Sequence, residues 1–561
     1  MAIPPACKYW ADLNEPGRYK LYRPCENTGA TENCEACLEL KKVEDEISKA
    51  MKVVEGLFER HREVRTRLNH AHDPVVHKVP PEITSYIFQL SLPPWPEDSN
   101  LRNMAGIDLQ APTILSAVCT AWKRVAFSTP QLWAYSRVSL TKAKKREMKE
   151  LDGRCSFFHE RLRRSGRVPL TICLTANWRV SDYSPATDLV RAIVQCSDRW
   201  RVLDLDCSDP LSDLLVQTSH RAPNLQVLRL RIGSIKSSTT FIASEGRPKE
   251  IYLALTKLNE IVIDWRRVTS IHLSRADPDD CTSVLQLAPL LEQCHFSDSF
   301  SRRFGDPPAT NLINLSIIHN GIRKLTLQKA KGGSTDEHSF LEKLTLPALQ
   351  SLTFPGFAEL TPAIIGLVKR SCCTVREITF TDTDDQQVVR VLKEVPSLQR
   401  MICCTKLAAK AMDGILQFLL DSGEDSDSKP TSALEELEHI QFIVASPEIT
   451  WPLLGEFIRP LSGALKRPSL VSVKIEICHG PWSRYLPEEY IDSTSLQRLQ
   501  EAWKEGLNVQ LLATSEEQIP VVMGYDIIQA TLDPVGWRHI TKEWGQGGKG
   551  PGIRPLTSDD E

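Results

Sequence analysis

Between Glu39 and His70 the chain has no proline and one glycine, and Leu40, Val43, Ile47, Ala50, Val54, Leu57, His61, Val64 and Leu68 fall at alternating steps of three and four. That spacing predicts a helix over 36–72 carrying one apolar seam of about four heptads. Such a seam can zip against a second copy or lie along the protein's own next domain. Ala50 and His61 weaken it, and intramolecular packing is slightly the better expectation. Asp73-Pro74 should end the helix, because the residue before proline is pushed away from helical dihedrals. A shorter helix is expected in "VHKVPPEITSYIFQLSLPP", residues 76–94. Pro80 and Pro81 suit a first turn, where a missing amide donor costs nothing, and Glu82 sits where the helix dipole favours negative charge. At ~100° per residue Tyr86, Ile87 and Leu90 fall within ~60° of Ile83, while Phe88 lies about 140° away. Two faces are therefore apolar. A second run, "TILSAVCTAWKRVAFSTPQLW", spreads Ile114, Leu115, Val118, Cys119, Trp122, Val125 and Ala126 over ~140° of arc, wider than one core contact needs.

From about residue 168 the period changes from helical to two. "RVLDLDC", "NLQVLRLRI", "NEIVIDW", "NLINLSII", "RKLTLQ", "EKLTL", "REITF" and "LVSVKIEI" read as half-buried strands with helix-like runs between several of them. Leu228, Ile261, Leu315, Leu352, Ile378, Met401, Ile440 and Val473 mark successive strands, often roughly 20 to 40 residues apart, which predicts a solenoid of strand-plus-helix units over 165–515. An ordinary α/β domain with an open parallel sheet would support the same alternation. The acidic "DSGEDSDSKP" reads as a solvated loop, and residues 538–561, rich in glycine and polar residues, read as a flexible tail.

Composition narrows the function. At 561 residues the chain exceeds one core, and 41% hydrophobic with 25% charged and a net charge of -3 offers no global attraction to nucleic acid or anionic membrane. No apolar run approaches the ~20 residues a membrane helix needs, and the start lacks the apolar core of a secretory signal, so a cytoplasmic or nuclear protein is expected. Most of the sixteen cysteines should be reduced core residues. Cys7, Cys25, Cys34 and Cys37 include one CxxC, but a structural zinc site wants a second close pair, so no metal is expected. No HExxH, GxSxG or strand-to-helix GxGxxG occurs, and "GGKG" lacks the Ser or Thr and the preceding strand of a phosphate loop. Neither an enzyme nor a cofactor is expected.

"VPPEITSYIFQLSL", a connection, then "LSAVCTAWKRVAFSTPQLW" resembles an F-box, over residues 75–135. Val79-Pro80 stands where the family usually has Leu-Pro, Glu82-Ile83 follows as its acidic-apolar pair, and Ile87-Phe88 completes the first helix. Leu115, Val118-Cys119 and Trp122 match the second helix, and Pro130 with Leu132-Trp133 the closing segment. The long connection and the preceding heptad helix resemble F-box proteins of mushroom-forming fungi. "APNLQVLRL" and "LPALQSLTF" look like leucine-rich repeats, although the usual turn asparagine is mostly absent. The resemblance implies an α/β chain: an irregular segment over 1–35, the heptad helix, an all-α F-box, and an irregular leucine-rich-repeat-like array. It also implies a substrate receptor of a cullin-RING ubiquitin ligase. Pro80, Pro81, Ile83, Ile87, Phe88, Leu115, Val118, Cys119, Trp122, Leu132 and Trp133 would form the region facing a Skp-type adaptor, with Trp122 largely holding the helices together and Phe88 an outward contact. An unidentified target protein would lie on the array's concave side, near Asp204, Asp206, Arg229, Arg231 and Thr326. The alternative is a non-catalytic scaffold outside ubiquitination, self-associating through the seam.

Overall fold

A computed structural model describes residues 35–72, 78–92, 111–140, 148–176, 184–207, 219–232, 240–299, 316–328, 335–381, 384–405, 410–421, 436–444, 450–458, 469–479, 493–515 and 525–526, with a few isolated positions between. Cys7, Cys25, Cys34, Leu315, the acidic loop after Asp421 and the tail over 538–561 lie outside them. The chain divides into two compact units, Met1–Phe88 with Thr113–Ser128, and Gln89–Pro112 with Thr129–Glu561.

In the first unit the heptad pattern forms one helix, α1, over Glu35–His72, ending just before Asp73-Pro74. Its seam is open: Val43, Ile47, Leu57, Val64 and Leu68 are exposed, against the expectation that the chain's own next domain covers them. The second helix, α2, runs Pro81–Leu90, with proline in its first turn as expected. The single run expected after it is two helices, α3 over Ala111–Val118 and α4 over Thr120–Ser128. Cys119 lies between them, and its Sγ accepts the Trp122 backbone N–H at 3.4 Å, satisfying a donor that α4 leaves open at its start.

The second unit is mixed α/β around a large, almost entirely parallel sheet. Its fifteen described strands stand in chain order from Tyr135–Leu140 at one edge to Tyr525–Asp526 at the other, and only this last strand pairs antiparallel. The order never doubles back, as it does in a doubly wound open sheet. Helices such as Pro278–Leu287, Thr361–Ser371 and Asp385–Leu392 connect the strands, and the core lies between them and the sheet. The register explains that core. Leu203, Leu228, Ile251, Ile271, Cys294, Leu325, Leu352, Ile378, Met401, Ile440, Val473 and Val509 align across twelve consecutive strands, and all are buried. Each large apolar member gains about 1.5 to 3 kcal/mol by leaving water. Burial pushes the thiols of Cys294 and Cys403 far above the ordinary cysteine range, leaving them as small apolar fillers.

No asparagine is needed at the turns, because backbone links them. The residue just ahead of each strand donates its N–H to the equivalent carbonyl one unit earlier: Gln226 to Arg201, Lys249 to Gln226, Thr269 to Lys249, and onward through Glu292, Arg323, Gln350, Arg376, Gln399, Glu438 and Val471, at 2.8–2.9 Å. The interval between successive links varies from 20 residues (Lys249 to Thr269) to 39 (Gln399 to Glu438), so the connections absorb length while the sheet keeps its register.

The sequence places some strands wrongly. The sheet begins at Tyr135, ahead of the expected border near 165, and continues through Asn508–Ser515 to Tyr525–Asp526. "NEIVIDW" contributes only Ile261–Val262 to a small three-stranded side sheet, and "EKLTL" is the end of a helix followed by Leu344–Thr345 of a two-stranded one. The main-sheet strands Glu250–Ala254, Ser270–Ser274 and Gln293–Ser297 were not anticipated. Each sends only two or three residues inward and carries polar or aromatic ones between, so the apolar alternation is too short to register.

Candidate functional site

Two surfaces stand out, one apolar and exposed, the other polar and half-buried. The first is on α2 and α3. One turn of α2 fixes its inner face: Thr84 and Phe88, four residues apart, are both buried, and the Thr84 hydroxyl donates to the Pro80 carbonyl at 3.2 Å. The Phe88 ring lies 4.8 Å from that of Trp122, tilted by 49°, and Phe88 is only 1% exposed. Phe88 is thus a core residue and not the outward contact that its place off the main stripe suggested. The stripe itself faces water. Ile83 is 51% exposed, Ile87 44%, and Tyr86 and Leu90 are exposed as well. The angular separation was right and its direction inverted: the Phe88 ring packs on Trp122 and the Ile83 stripe faces away.

On α3, Ile114 and Val118 are exposed one turn apart, while Leu115 is half-buried. Cys119 and Trp122 are also half-buried, and Pro80 and Pro81 are exposed. Leu132 and Trp133 are a second correction. They lie in a short 3-10 turn of the second unit, buried at 0% and 3%, so neither is open to a partner. Arg161 holds that turn: its guanidinium donates to the Tyr135 carbonyl through Nε at 3.0 Å and to the Leu132 carbonyl through Nη2 at 3.4 Å, and it lies 5.5 Å from the Trp133 ring centre. Burial lowers the Arg161 pKa to about 10, so it keeps its charge at neutral pH. Nothing in the apolar pattern marks Arg161, and the sequence reading missed it.

The second surface is the face of the parallel sheet turned away from its core. One row across it runs Arg137, Cys173, Asp204, Arg229, Tyr252, His272, His295, Thr326, Thr353 and Thr379, strand by strand. Asp206 and Arg231 are register partners one step along. Asp204, Asp206, Arg229, Arg231 and Thr326 therefore share the sheet face opposite the core. They are less available than expected: Arg229 and Thr326 are buried, and the Arg229 Nη2 bonds Glu250 Oε1 at 2.7 Å. Between them lies an aromatic file that sequence reading did not find, with Tyr252 and His272 ring centres 4.3 Å apart and His272 stacked on His295 at 3.8 Å. Burial first, then His295, Arg229 and Arg231, lower the His272 pKa to about 3. His272 is neutral in ordinary buffers, with Nε2 2.8 Å from the Ser297 hydroxyl. Further along, Gln441 donates to Glu476, which also pairs with Lys474. The face is polar, aromatic and mixed in charge.

Among the described residues no group of three or more histidine, cysteine or carboxylate side chains is placed to hold a metal ion, and no helix is long and apolar enough to cross a membrane. Neither the protein-family models nor the curated proteins compared with this chain yield a match.

Proposed function

We propose that this chain is a non-catalytic receptor subunit of an SCF-type cullin-RING ubiquitin ligase. α2, α3 and α4 act as an F-box that attaches to a Skp-type adaptor, and through it to cullin and RING subunits. The sheet of the second unit acts as an irregular leucine-rich-repeat-like solenoid whose outer face holds a target protein. Its contribution to the reaction is proximity. The observation that carries the reading is the division of labour in α2, where one aromatic, Phe88, builds the core with Trp122 and the aliphatic stripe through Ile83 and Ile87 stays open. Large aliphatic side chains kept in water on a short helix fit a partner's groove. Strand order equal to chain order, with backbone links joining successive units from Arg201 to Val471, supports the repeat reading.

The test is retention of purified Skp-type adaptor by immobilised full-length protein. Ile83→Asp and Ile87→Asp are each expected to weaken binding about 30-fold, the worth of one buried anchor at about 2 kcal/mol, with the melting temperature unchanged. Folded wild type that retains no adaptor would overturn the ligase assignment and leave the scaffold reading.

A further inference from the structure

The seam of α1 is uncovered along most of its length. Val43, Ile47, Leu57, Val64 and Leu68 are 45–58% exposed, in a helix of 38 residues. An isolated amphipathic helix draws most of its stability from packing that face, so the seam calls for an occupant. The flanking charges say which. With Ile47, Val54, His61 and Leu68 at the first apolar position of each heptad and Val43, Ala50, Leu57 and Val64 at the second, the positions just before the first are Glu39, Glu46, Val53, Arg60 and Arg67. All five are exposed. They run acidic, acidic, apolar, basic, basic from one end of the helix to the other.

Orientation decides whether that order helps or hurts. In a parallel in-register pair, Arg60 would face the partner's Arg65, a like-charge contact. In an antiparallel pair with its twofold axis near Lys52, Glu39 faces the partner's Arg67 and Glu46 the partner's Arg60, and each contact occurs twice. Val53 meets its own copy on one flank of the axis and Met51 meets its own on the other. The seam closes in the same register, Ile47 against the partner's Leu57 and Ala50 against the partner's Val54. We infer that two copies of this chain associate through α1 as an antiparallel coiled coil. The inference does not rest on the ligase reading, since α1 carries none of the proposed adaptor contacts.

Sedimentation of the full-length protein tests it, using wild type, Ile47→Asp with Leu57→Asp, Glu46→Arg, Arg60→Glu, and the double reversal. Wild type should be a dimer and the paired aspartates a monomer whose second unit unfolds as in wild type. Each single reversal turns two attractive contacts into repulsive ones and should weaken the dimer about tenfold, and the double reversal should restore it. Arg60→Glu separates the orientations, because in a parallel pair it would tighten the dimer by relieving the contact with the partner's Arg65. A wild-type monomer, a dimer tightened by Arg60→Glu, or one that ignores the paired aspartates would each overturn the inference.

Discussion

Phe88→Ala is expected to destabilise the first unit by about 3–5 kcal/mol, the cost of emptying a buried aromatic site that cannot collapse. The ring is 1% exposed and 4.8 Å from Trp122, so its removal takes away packing between α2 and α4 as well as its own burial. Trp122 would then lie beside a void, with its indole Nε1 already buried and without a hydrogen-bond partner among the described residues. Hydrogen exchange over residues 78–92 and 111–128 is the direct measurement, because it reports opening of these helices apart from the sheet. Protection should fall in both segments together. Ile87→Asp, one position earlier and exposed, should leave both nearly unchanged. If instead Phe88→Ala keeps full protection and loses only adaptor binding, the ring faces a partner and the contact with Trp122 is not what holds the unit.

That pair of adjacent residues also shows where the sequence is legible. Helical period separated Phe88 from the Ile83 stripe without saying which side is inward, because both sides are apolar and the inward one is set by a residue more than thirty positions away, Trp122. The seam of α1 poses the same difficulty: its period is plain, its helix ends next to Asp73-Pro74, and only the folded structure reveals that it stays open. In the second unit the strands with three strong inward residues, such as Trp200–Cys207 and His439–Val444, were legible. Gln293–Ser297 was not, since Cys294 and Phe296 alone face the core and His295 between them belongs to the outer file. The turns were misjudged for a related reason. A side-chain signature was sought where backbone hydrogen bonds, which leave no trace in composition, carry the link from one unit to the next.

Asp280→Asn is expected to stabilise the protein by about 4 kcal/mol at pH 8 and to change it little at pH 4. Asp280 sits in the first turn of the helix Pro278–Leu287, where its N–H is capped by Asp277 Oδ1 at 2.7 Å and its own Oδ1 accepts the Leu258 N–H at 3.2 Å. Burial, followed by the Asp277 carboxylate, raises its pKa to about 7, against the opposing pull of the Leu258 bond and Lys257. The sign follows from proton counting. Between pH 4 and 7 the folded chain keeps a proton that the unfolded aspartate, with a pKa of 3.8, has released, so this group makes unfolding easier as pH rises, by up to about 1.4 kcal/mol per pH unit. Asparagine keeps the shape and the acceptor for Leu258 and has no charge to desolvate. Urea unfolding of both proteins at pH 4 and pH 8 isolates the effect, since every other titrating group is common to the two. A difference that does not grow with pH would mean that the Leu258 N–H and Lys257 hold Asp280 as an anion, and that its charge contributes to the joint between the short turn Leu258–Glu260 and the helix instead of weakening it.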